Sequence, residues 1–123
     1  KEILENKKNI KKLEEIIHPL VRDKMRRFTK KYKEKKLLFY EIPLLIESKL
    51  MKFFNVIIFI KANKKLRQKR FALKKGDKKL FNLLNNKQMK DKKKINLCDY
   101  VVVNEKNLNI LKRKLFAIIK LYE

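Results

Sequence analysis

A single glycine, Gly76, stands among the 123 residues, and that scarcity removes whole classes of site. Phosphate-cradling loops of the GxxxxGKS/T or GxGxxG kind, and the GxSxG nucleophile elbow, each need two or more glycines, so the chain contains none of them. One cysteine, Cys98, rules out an internal disulfide and a cysteine-based zinc centre, and it suits a reducing cytoplasm. One histidine, His18, has no second histidine with which to build a metal site. No apolar run approaches the roughly 18 residues of a membrane span. The start, KEILENKKNIKKL, carries charge where a secretory signal has its apolar region.

Positive charge is abundant: 30 Lys and 6 Arg stand against 13 acids, a net +23. Such a balance invites a nucleic-acid reading. The lysines, however, are spread over every segment and interleaved with apolar residues. With 11 Asn beside them, they have the look of codon bias in an AT-rich genome. They read as solvated faces that lend local positive potential to anionic ligands. A hydrophobic fraction of 45% against 40% charged fits one globular domain with a single core.

Leu13, Ile16, Ile17, Leu20, Val21, Met25, Phe28 and Tyr32 recur at helical spacing and predict a helix over 3–35. Pro19 should break or kink it after His18. LLFYEI predicts a strand over 37–42, closed by Pro43, and PLLIESKLMKFF a loop turning into a short helix. The β-branched run around Val56–Phe59 predicts a strand over 55–61. Asn63 is placed to cap a helix that ends near Gly76, and a second helix follows to about residue 94. DYVVV, 99–103, predicts a third strand, and a closing amphipathic helix follows Asn104. Strands separated by helices predict an α/β fold, a three-layer parallel sheet with helices on both faces. Ligands then bind beyond the carboxyl ends of the strands, at EIPLLIE, IKANKK and VNEKN.

Glu41 and Glu47 bracket a prolyl turn at one such end. They are either surface acids at a strand exit or acids aimed at a substrate hydroxyl or a hydrated magnesium ion. Arg67, Arg70 and Lys74 fall on one helix face. That face is either solvated or a mobile basic lid over phosphates, for which arginine offers a planar fork. His18 and Arg22, one turn apart, are either packing residues at a helix end or a pair facing an anion.

Taken jointly, these stretches resemble the dephospho-coenzyme A kinase family, a branch of the P-loop nucleoside-phosphate kinases. LEEIIHPLVR (13–22) is similar to its "LE-x-I-x-HP-x-VR" segment, and EIPLLIES (41–48) to its "PLL-hydrophobic-E" segment. LRQKR (66–70) stands where the family has "Q-L-x-R", NNKQ (85–88) where it has a helix end with glutamine, and CDYVVVN (98–104) where it has "ADYVIDN". The resemblance implies one partial P-loop kinase-like domain. Its parts would be a helical acceptor-side segment at 1–36, strand–helix–strand at 37–61, lid helices at 62–94, and a strand with C-terminal helix at 95–123.

The implied activity is ATP-dependent phosphorylation of the ribose 3′-hydroxyl of dephospho-coenzyme A, the last step of coenzyme A synthesis, with Mg2+ and in the cytoplasm. Arg70 would be the lid arginine on the ATP phosphates, with Lys74 in the place of a second lid arginine, and Asn104 would border the adenine. His18, Arg22, Glu41, Pro43, Leu44, Leu45 and Glu47 would form the acceptor site.

The chain departs from the family pattern at several positions. Arg67 stands in place of a glutamine, Lys74 in place of an arginine and Val103 in place of an acid. The family's first strand, its phosphate-binding loop and the catalytic Asp after its second strand have no counterpart in these residues, and Lys1 rather than Met opens them. The expectation is a fragment, a decayed gene product, or one half that needs a separately made partner, poorly stable or inactive by itself. The alternatives are a small basic RNA- or ribosome-binding protein and a non-catalytic kinase remnant.

Overall fold

In a computed structural model of the protein, which describes residues 7–123, the chain forms two compact units, one ending at Tyr40 and one from Glu41 to Glu123.

The first unit is built on α1, Lys7–Lys31. Its basic last turn, Lys30 and Lys31, complements the negative end of the helix dipole. Asp23 and Arg27 pair at 2.8 Å one turn apart on its surface, the usual i,i+4 arrangement. Pro19 lies inside the helix, so the expected break after His18 does not occur. A proline removes one bond of the ladder, and this 25-residue helix absorbs that loss without ending. The predicted start at residue 3 lies outside the described residues.

The strand expected over 37–42 is also absent, since these residues are neither helix nor strand. A strand exists only where a neighbouring strand accepts from its N–H groups and donates to its C=O groups, and the sheet among the described residues consists of β1 and β2 alone. Instead, Tyr40 packs edge-on against Phe28, with ring centroids 5.3 Å apart. Its hydroxyl also meets that of Thr29.

The second unit opens with turns over 43–49 and a short 3-10 helix, Met51–Phe53. Then come β1 (Ile58–Lys61), α2 (Lys64–Leu73), α3 (Lys78–Lys87), α4 (Asp91–Ile95), β2 (Tyr100–Val103) and α5 (Leu108–Ile119). The helix expected to run to residue 94 is two helices, because Gln88 leaves the helical region with ψ 140°.

β1 and β2 pair in parallel, with Ile58 opposite Tyr100 and Lys61 opposite Val103. Three helices in the crossover are what a parallel pair requires. The fold is therefore α/β with a parallel sheet. It has two strands among the described residues rather than three.

Three helices start on side-chain caps: Asn63 accepts from Leu66 N–H, Asp77 from Leu80 N–H and Asn107 from Ile110 N–H. These are the short polar residues that satisfy otherwise orphaned helix donors. α2 ends earlier than Gly76 suggested, and the left-handed residue that follows is Lys75, at φ 62°. Glycine is needed at 76 for space, because a Cβ there would run into the Phe71 ring.

The core is small. Leu50, Ile57, Ala62, Phe81 and Val102 are its buried apolar residues among those described. Ile16, Leu20, Leu108 and Phe116 are each more than half exposed.

Candidate functional site

Glu47 lies in the turns that follow Pro43 and is half-buried. Its Oε1 accepts the backbone N–H of Met89 at 2.7 Å and the ammonium of Lys94 at 2.9 Å. Lys94 is buried, only 5% exposed, and its Nζ sits 5.5 Å from the centroid of the Phe59 ring. A lysine so deep needs a partner, and Glu47 supplies it. Glu47 Oε2 is buried and has no hydrogen-bond partner. Burial by itself would raise the Glu47 pKa, but its own N–H, Lys94 and Met89 N–H together hold it below the usual carboxylate value.

The same element, 43–49, carries Pro43, which is exposed, and Leu44 and Leu45, which are half-buried. Glu41, just before it, is exposed. Backbone bonds from Ser48 N–H to Leu44 C=O and from Leu50 N–H to Leu45 C=O curl the turn. Lys49 takes a left-handed conformation, φ 57°.

Arg70, half-buried on α2, donates from Nη1 to the backbone carbonyl of Asn104 at 2.9 Å. The carboxyl end of β2 and the last turn of α2 are thereby tied together. Asn104 N–H in turn bonds to Lys61 C=O at 2.7 Å, at the end of β1. Glu105 adds a second tie, accepting the N–H of Asn63 at 2.8 Å. Arg67 donates from Nε to Ala62 C=O at 3.1 Å. It also lines an open hollow of about 220 Å³ with Asn85, Gln88, Met89, Lys90 and Asp91. Lys74 caps the C-terminus of α2 and is exposed.

Of the residues expected at the site, the structure thus joins Arg70 to Asn104 and places Glu47 against Met89, itself a wall of the hollow. His18, half-buried, and Arg22, exposed, lie one turn apart on α1 in the first unit.

Sequence reasoning passed over Lys94, Glu105 and Asp99. Lys94 is hidden inside DKKKIN, where nothing marks one lysine as the buried one. Asp99 Oδ2 accepts Ile57 N–H at 2.7 Å and so starts the pairing of β1 with β2. Cys98 is half-buried. Burial first, and then the Asp99 charge, push its thiol pKa up, with Lys94 opposing, so it is a poor nucleophile. No three His, Cys, Asp or Glu among the described residues gather to hold a metal ion, and no described helix is long and apolar enough to cross a membrane.

The dephospho-CoA kinase family pattern matches residues 1–109. A dephospho-CoA kinase of Bartonella quintana is 33% identical over 121 residues, covering 96% of this chain and 62% of that protein. One of Fusobacterium nucleatum is 32% identical over 116 residues, covering 91% of this chain and 58% of that protein. Among solved structures, TT1252 from Thermus thermophilus superposes with a TM-score of 0.78 at 24% identity. That match covers 98% of this chain and 63% of the other, and it shows the shared fold. The chain thus spans about six-tenths of the length of the curated relatives it matches. On the extent of these matches, the chain belongs to the dephospho-CoA kinase family.

Proposed function

We propose that this chain provides the lid and the acceptor side of a dephospho-CoA kinase. That enzyme moves the γ-phosphoryl group of ATP onto the ribose 3′-hydroxyl of dephospho-coenzyme A. The observation that carries the reading is the 2.9 Å bond from Arg70 to the Asn104 carbonyl. It sets a guanidinium of the lid helix at the carboxyl end of a parallel strand, where α/β folds bind their ligands.

The guanidinium has five N–H donors, and those not used on Asn104 serve the ATP phosphates. Lys74, exposed one turn on, adds a positive charge without arginine's fork. Asn104 borders the adenine. Within the second unit, Glu41, Pro43, Leu44, Leu45 and Glu47 make the acceptor side. Transfer of this kind rests on positioning and charge neutralisation, and these groups contribute both.

The described residues do not fit a magnesium site, since no group of three His, Cys, Asp or Glu placed to hold a metal ion is present among them. A phosphate-binding loop of the GxxxxGKS/T kind is likewise absent from these 123 residues. Turnover therefore depends on a segment that supplies one. The single free thiol supports a cytoplasmic location.

Calorimetric titration of the chain with dephospho-coenzyme A, with ATP and with a single-stranded RNA oligomer, each at two salt concentrations, tests this reading. Saturable binding of both nucleotides is expected. Tight, steeply salt-dependent RNA binding without nucleotide binding would overturn it.

A further inference from the structure

We propose that Lys94 is a positioning residue for the acceptor site: it ties down Oε1 of Glu47 and leaves Oε2 to accept a hydrogen bond from a neutral donor on the acceptor nucleotide. This inference rests on the proposed kinase reading and adds to it a residue that the acceptor-site pattern does not contain.

Two features that folding normally avoids converge on one carboxylate. Of 30 lysines, Lys94 is found buried, 5% exposed, against the face of Phe59. A buried ion pair is not required for stability, because apolar residues of similar volume serve as well. The second feature is Glu47 Oε2, buried with no partner, while Oε1 takes both the Lys94 ammonium and the Met89 N–H. An unsatisfied buried acceptor is rare enough in folded proteins to require a cause. A ligand donor that completes it is such a cause.

The geometry also limits the chemistry of that donor. Oε2 belongs to an ionised carboxylate, so it repels phosphate and favours a hydroxyl or an amine. The acceptor nucleotide offers both, in its ribose hydroxyls and its adenine amino group. Met89, on the other side of Oε1, also lines the hollow with Arg67 and Gln88. The carboxylate is thereby fixed to the base of the lid as well as to its own turn.

The test uses Lys94→Arg in the 123-residue chain, with the wild type read by carbon-detected NMR of the Glu47 carboxylate. Arginine keeps the cation, but its planar fork bonds both carboxylate oxygens. The proposal expects the variant to fold, to bind ATP as the wild type does, and to bind dephospho-coenzyme A about tenfold more weakly. A purely structural ion pair predicts unchanged affinity for both nucleotides, and that result would overturn the proposal.

The wild-type measurement is independent of how the variant folds. Adding dephospho-coenzyme A is expected to shift the Glu47 carboxylate resonance. Saturable binding that leaves the resonance unmoved would overturn the role of Oε2 while leaving the kinase reading intact. Absence of any dephospho-coenzyme A binding to the wild type overturns both the kinase reading and the acceptor role drawn from it.

Discussion

Glu47 and Lys94, 47 positions apart in the chain, form a buried ion pair at 2.9 Å that fastens the prolyl turn to α4. Removing one partner leaves the other charge buried and alone. Lys94→Met is therefore expected to destabilise the second unit by about 3–5 kcal/mol. The double variant Lys94→Met with Glu47→Leu should recover much of that loss. Urea unfolding of the two single variants and the double variant measures the coupling. Additive losses would show that the pair is not coupled.

The same pair fixes a pH dependence. The folded-state pKa of Glu47 is lowered, so its contribution is full above the unfolded value, about 4.3. It is lost as the pH falls through the lower, folded value. Melting curves between pH 6 and pH 3 should fall more steeply for the wild type than for Glu47→Gln. Parallel curves would contradict the assignment.

Gly76 has no room for a side chain, because a Cβ there meets the Phe71 ring. Phe71 in turn packs on Phe81, with ring centroids 5.8 Å apart. Gly76→Ala should cost about 1–3 kcal/mol through overpacking, although alanine tolerates the backbone conformation. Phe81→Ala, which empties the centre of the same contact, should cost about 3–5 kcal/mol. Thermal melting of the two variants checks both values.

With so few apolar side chains buried and several large ones more than half exposed, the chain by itself should be marginally stable. It should bind the dye ANS in buffer, as proteins with accessible apolar surface do. A sharp, high-temperature melt with no dye binding would contradict this.

The sequence carried the parallel sheet, and the reason is local. Ile57 to Ile60 and Tyr100 to Val103 are β-branched and aromatic runs flanked by capping asparagines. Strong local preference and tertiary pairing therefore point the same way. The stretch 37–42 is also apolar but joins no sheet among the described residues, and composition cannot reveal whether a strand lies alongside. Pro19, expected to break or kink α1, does not end it, since a long helix carries one lost bond.

At the site, Arg70 stood out because arginine is scarce beside lysine here, and Asn104 because it closes a predicted strand. Lys94 was not, because burial distinguishes it from its neighbours and residue type does not. Glu47 was expected to face a substrate. Its internal ties to Lys94 and Met89 follow only from the way α3 and α4 divide at Gln88.

The central claim, that these residues are the lid and acceptor side of a dephospho-CoA kinase, is tested most directly by joining the chain to the part of the Bartonella quintana relative that it does not match. The joined protein is then assayed for radiolabel transfer from γ-labelled ATP to dephospho-coenzyme A. The account predicts label on the ribose 3′-oxygen, and at least a hundredfold loss of it with Arg70→Ala, a loss of the order seen when a transition-state charge stabiliser is removed. A folded, ATP-binding fusion that transfers no label to dephospho-coenzyme A would contradict it.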